Sequence, residues 1–189
     1  MPRVWSDTVE AHRRAVREAI LDTTALLVSR HGLRSVAMGQ IAEETGIARA
    51  TLYRYFSGVE AILSAWHERQ VAAHVDLLAQ AAERPGSPLE RLTAVLGTYA
   101  SIVHEHHGTD LAAALHRGAH VARAQRRLTE FVRDLVAAGL EAGEIRRDVP
   151  PDELAHYCVH ALAAAAGAPS RAAVRRLVEV TADGLRARD

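Results

Sequence analysis

Within seven residues this chain places Arg49, Ala50, Thr51, Tyr53, Arg54 and Tyr55. Guanidinium, hydroxyl and phenol groups are the donors that meet phosphate oxygens, and an Arg can reach the O6/N7 edge of guanine in a bidentate contact. Ala50 is small, so the start of a helix carrying these residues can approach a groove closely. A second set of side chains suggests different chemistry. There are eleven histidines, with His104, His106 and His107 clustered and the pairs His116/His120 and His156/His160 spaced four apart. That spacing puts both rings of a pair on one helix face, as metal ligation requires. No cysteine or carboxylate completes a recognisable ligand set, and Gly118 interrupts the first pair. The histidines are therefore read as solvated or singly hydrogen-bonded, with no metal and no cofactor. Cys158, the one cysteine, lies on an apolar helix face and reads as a small buried residue.

The elements that would carry these groups are all helical. Apolar residues recur with a 3.6-residue period in almost every segment, and none alternates as a strand. A first helix is predicted over 7–31, with Val16, Ile20, Thr23 and Leu27 inward and Gly32 as its stop. Short helices follow at 38–45 and 49–55, separated by Gly46, whose missing Cβ suits a turn at positive φ. A longer helix, 59–82, has the expected inner face Ile62, Trp66, Gln70, Ala73 and Leu77. The run Arg84-Pro85-Gly86-Ser87-Pro88 is the clearest break. Beyond it, helices are predicted over 89–106, 109–117, 121–142, 152–166 and 170–187. The fold class is all-α, with about nine helices.

Composition narrows the class further. At 189 residues, with 49% hydrophobic residues and 4% aromatic, the chain can bury a core and is rich in helix formers. The formal net charge is zero, and all 23 basic residues are Arg. Residues 1–60 carry eight Arg against seven acids. Bulk charge thus does not argue for nucleic acid, and that reading rests on where the charges sit. One cysteine excludes an intramolecular disulfide and fits a reducing compartment. No apolar run reaches membrane-spanning length and the first residues are polar, so the expected location is the cytoplasm, with no membrane partner. Paired carboxylates in a bundle pattern, a glycine-rich phosphate loop and a nucleophile motif are all missing, so the chain is not expected to be an enzyme.

The stretch Met38–Phe56, MGQIAEETGIARATLYRYF, has the spacing of a helix-turn-helix. Ala42 lets the second helix approach, Gly46 makes the turn, and Ile41, Ile47 and Leu52 are spaced to form a small core. The segment from about Arg17 to Trp66, through Gly32, Ile41-Ala42, Gly46, Thr51-Leu52-Tyr53, Tyr55-Phe56 and Glu60, resembles the DNA-binding domain of TetR-type (TetR/AcrR) regulators. Four positions depart from that pattern. Ser or Thr is usual where Val36 and Ala37 stand, Ser at Ala48, and Lys at Val59. Arg34, Ser35 and Arg17 are the nearby donors that would replace the lost backbone contacts.

The resemblance implies a DNA-binding domain, 1–58, and a helical effector-binding and dimerisation domain, 59–189. It implies a transcriptional repressor that binds a palindromic operator in double-stranded DNA as a homodimer and leaves it when a small-molecule effector binds. Thr51, Tyr53 and Tyr55 would hold the backbone, and Arg49 and Ala50 would face bases. Trp66, Leu96, Tyr99, Val103, Leu115 and Phe131 would line the effector pocket. The implied dimer interface lies on 152–187, through Leu154, Cys158, Ala161, Leu162, Val174, Leu177, Val178, Thr181 and Leu185. Two readings compete with this one: a helical metal-binding protein or enzyme, supported only by the His pairs, and a helical interaction module without DNA binding, supported by the departures at Val36, Ala48 and Val59.

Overall fold

The computed structural model describes residues 3–32, 35–106 and 119–187. These form eight α-helices: α1 (Arg3–His31), α2 (Met38–Thr45), α3 (Arg49–Tyr55), α4 (Val59–Ala82), α5 (Pro88–His106), α6 (Ala119–Glu141), α7 (Pro151–Ala163) and α8 (Arg171–Asp183). A 3₁₀ turn, Ala164–Gly167, extends α7. The helix expected over 109–117 lies outside the described residues. The all-α expectation holds; an isolated antiparallel bridge between Ile145 and Arg186 is the β-type pairing found among the described residues.

The chain divides into two compact units, with the boundary between Gln70 and Val71. The expected boundary at 58/59 assigned the whole of α4 to the second domain. The division between the compact units falls within α4.

In the first unit the inward stripe of α1 is Ile20, Leu21, Thr24, Leu27 and Val28. Met38, Ile41 and Ala42 of α2, Leu52 of α3 and Ile62 and Leu63 of α4 are buried in the same unit. Burying a Leu or Ile side chain contributes roughly 1.5–3 kcal/mol, so these few residues dominate the unit's stability. Thr24 is polar and fully buried, and its Oγ1 donates to the Ile20 carbonyl at 2.7 Å, which satisfies the hydroxyl within the helix. Arg69 of α4 reaches across to Glu18 and Asp22 of α1, an ion-pair tie at the rim of this core.

The second unit has a larger core. Leu89, Leu92, Leu96 and Ala100 of α5 meet Val132 and Val136 of α6, Leu154, Ala155, Cys158, Val159 and Leu162 of α7, and Val174 and Val178 of α8. A smaller cluster joins Leu78 and Ala81 of α4 to Val95 of α5. The inner face expected for α4 therefore fails beyond Trp66: Leu77 is 47% exposed, whereas its neighbour Leu78 is buried. Adjacent residues lie about 100° apart around a helix, and packing against α5 selects the second leucine. At the start of α5, Ser87 Oγ and the Leu89 N–H donate to Glu144 Oε2 at 2.8 and 2.9 Å. The carboxylate of a distant loop thus satisfies donors where the helix dipole favours negative charge. Gly139 allows the chain to fold back after α6, since a Cβ there would lie 2.4 Å from Ile145 Cδ1.

Candidate nucleic-acid interface

The turn between α2 and α3 is set by Gly46, at φ 67° and ψ 15°. This is the left-handed region, where a Cβ is penalised. The Ile47 N–H donates to the Ala42 carbonyl at 3.1 Å, closing the hydrogen-bonded loop that commonly ends a helix at such a glycine. Ile41 and Leu52 are fully buried across the turn, while Ile47 is only half-buried. The helical period then divides the short α3 into two faces. Leu52 and, at the helix end, Phe56 turn inward. Arg49, Ala50, Tyr53 and Arg54 are exposed, and Thr51 and Tyr55 lie half-buried beside them. Tyr53 is 51% exposed, unusual for so large a ring. The exposed face therefore carries two guanidinium groups and a phenol on rigid helical backbone. Neither α2 nor α3 has an acidic residue in its first turn, which leaves both positive helix ends uncompensated.

The supporting positions are unevenly filled. Ser35 is exposed, and Arg34 lies outside the described residues. Arg17 lies over the Phe56 ring with Cζ 5.5 Å from the centroid, and approaches Glu18 at 3.7 Å. Val36 is buried, so this departure adds a core contact where a backbone-contacting hydroxyl would stand. Ala37 and Ala48 are N-caps without a side-chain hydrogen bond. Such caps typically contribute about 1 kcal/mol. Val59 begins α4 half-buried. Gly39 of α2 is a position the sequence reading passed over: its neighbour across the motif is the Arg49 guanidinium.

The second unit treats its expected residues differently. Leu96 is fully buried, and Tyr99, Val103 and Phe131 are partly buried against the core clusters. Desolvation raises the Tyr99 phenol above its usual value. Trp66 is half-buried in the first unit, and Leu115 lies outside the described residues. The residues expected at the dimer interface are placed as follows in the single chain. Leu154, Cys158, Leu162, Val174, Val178, Thr181 and Leu185 are all buried in the chain's own core, and Ala161 and Leu177 are half-buried. A side chain already covered by α5 and α6 has no surface to offer a partner. The exposed apolar residues of these helices are Tyr157 on α7 and Val180 on α8, at 46% and 65%.

The His156 and His160 rings stack with centroids 6.0 Å apart. His104 Nδ1 lies 3.2 Å from the Ala165 carbonyl. The side chains of His106, His107, His116 and His120 lie outside the described residues. Among the described residues no group of three His, Cys, Asp or Glu side chains is placed to hold a metal ion. No helix among them is long and apolar enough to cross a membrane. Burial pushes the Cys158 thiol up to about 12.

Comparison with known proteins decides the family. Residues 20–66 match the model of bacterial regulatory proteins of the tetR family, and residues 87–187 match that of the C-terminal domain of SbtR-like transcriptional regulators. The second match alone spans more than half of the chain. The protein belongs to the TetR family. A relative of this TetR-family chain is the HTH-type transcriptional repressor KstR of Mycolicibacterium smegmatis, 36% identical over 88 residues, which are 45% of this chain and 42% of that one. The chain thus spans less than half the length of that relative. Among solved structures, a TetR/AcrR-family regulator from Thermobifida fusca YX-ER1 superposes with a TM-score of 0.79 at 21% identity, over 90% of this chain and 98% of that one. FadR from Bacillus subtilis, solved in complex with stearoyl-CoA, gives 0.69 at 15% identity, over 89% and 99%. At those identities the likeness is one of fold. The TetR assignment places α2 and α3 in the family's DNA-binding segment and α5–α8 in its C-terminal domain.

Proposed function

We propose that this TetR-family protein is a sequence-specific DNA-binding repressor whose α3 enters the major groove. The observation that carries this reading is the exposed face of Arg49, Ala50, Tyr53 and Arg54 on a helix held rigidly by Leu52 and the Gly46 turn. Tyr53, with Thr51 and Tyr55 beside it, holds phosphates, and Arg49 and Ala50 face base edges. Two copies pair through the outer faces of α7 and α8, where Tyr157 and Val180 leave apolar surface in water. The pair binds an operator whose two half-sites are related by the same two-fold axis. An apolar small molecule is the effector, entering the second unit beside Tyr99, Val103 and Phe131, whose partial burial supports that placement. It lowers DNA affinity by binding better to a state that fits the operator poorly. The protein works in the cytoplasm and catalyses no reaction.

Selection from random DNA tests the reading. The expected result is a palindromic motif with half-sites about 10 base pairs apart, or a multiple of that. Tyr53→Ala is expected to weaken binding to selected and unselected DNA by similar factors. Recovery of no common motif would refute the proposal.

A further inference from the structure

Gly39 sits in the first turn of α2, where glycine disfavours helix by about 1 kcal/mol relative to alanine. The fold does not require it there. Its φ is not positive, unlike that of Gly32, Gly46, Gly86 and Gly143. A Cβ built on Gly39 would have three nearest neighbours, all in the Arg49 side chain: Cζ at 3.6 Å, Nη2 at 3.8 Å and Nε at 3.9 Å. The missing side chain therefore serves one neighbour, the guanidinium. That group lies across the start of α2 and makes no hydrogen bond or ion pair with a described residue. Its contact with Gly39 is one of van der Waals packing, and its donors stay available. An arginine reads guanine only when its planar fork meets the base edge at a fixed direction. Glycine at position 39 leaves the fork room to lie against α2, whereas a longer side chain there would lift it.

We propose that Gly39 is a specificity-determining position, acting through Arg49 by giving its guanidinium a bare shelf on α2. The inference rests on α3 being the recognition helix. Alanine fits, because contacts of 3.6–3.9 Å are ordinary for a Cβ. A branched side chain needs the volume the guanidinium occupies and displaces it.

The test is a base-preference profile over a selected operator and its single-base variants, for the wild type, Gly39→Ala, Gly39→Leu, Arg49→Ala and the double variant Gly39→Leu/Arg49→Ala. Leucine is the better helix former, so Gly39→Leu retains the fold, as tryptophan fluorescence would verify. Gly39→Ala is expected to keep the wild-type profile. Gly39→Leu is expected to lose preference, of order tenfold, at the half-site position that Arg49→Ala relaxes. In the Arg49→Ala background, Gly39→Leu is expected to change nothing further. An unaltered Gly39→Leu profile would overturn the inference. So would an equal loss from Gly39→Leu with and without Arg49, which would mean that residue 39 touches DNA directly, and so would a wild-type profile for Arg49→Ala. If the wild type itself shows no base preference, the recognition-helix reading fails instead, a result distinct from these.

Discussion

Gly46→Ala isolates the turn on which the interface depends. Nothing lies within 4 Å of a Cβ at this position, so the substitution brings no clash. Its cost is conformational: an L-residue at φ 67° loses roughly 1–2 kcal/mol. Replacing glycine also restricts the unfolded chain, which returns about 0.4–1 kcal/mol. The expected net loss is about 1 kcal/mol, felt in the first unit alone. Both tryptophans, Trp5 and Trp66, belong to that unit, so tryptophan fluorescence reports its unfolding selectively. With a urea slope of about 1 kcal/mol/M for so small a unit, the fluorescence midpoint should fall by about 1 M. Gly46→Asn should cost less, because Asn tolerates the left-handed region better than Ala. Equal losses for Ala and Asn, or an Ala variant as stable as the wild type, would refute the reasoning.

Three further outcomes are expected. Gly139→Ala should lower the stability of the second unit by about 1–3 kcal/mol, because its Cβ would lie 2.4 Å from Ile145 Cδ1; partial rescue by Ile145→Ala in urea unfolding followed by circular dichroism would verify the cause. Cys158, its thiol held near 12 by burial against an ordinary 9.0, should resist a disulfide reagent at pH 8 until urea is added. Its raised value favours the folded state below about pH 9, and that contribution should fade as pH rises from there toward 12; rapid labelling of the folded protein would contradict the assignment. Val180→Asp, on the exposed face of α8, should convert a dimer to monomer in light scattering without loss of helix, and a variant that stays dimeric would place the interface elsewhere.

The helix-turn-helix was legible in the sequence because its constraints are local. The limits of α2 and α3, the Gly46 turn and the buried Ile41 and Leu52 all follow from residues close together in the chain. What the sequence did not show depended on long-range packing. The stripes of α7 and α8 are amphipathic, but an apolar stripe does not say whether its own chain covers it. Leu154, Cys158 and Val178 meet α5 and α6, and the surface left over is Tyr157 and Val180. Leu77 and Leu78 point about 100° apart around α4, and the position of α5 decides which of them is buried. Gly39 gave no signal in sequence because a glycine in the first turn of a helix has no distinctive period; its neighbour Arg49 lies ten positions away and is brought close by the turn.

If the exposed face of α3 reads DNA, the protein must prefer its operator to other DNA. A binding titration of the wild type against its selected operator and against scrambled DNA of equal length, at one physiological salt concentration, tests it most directly. A preference for the operator of roughly a thousandfold or more is expected. Equal affinity for the two DNAs, in protein whose tryptophan fluorescence and helicity are those of the folded state, would contradict it.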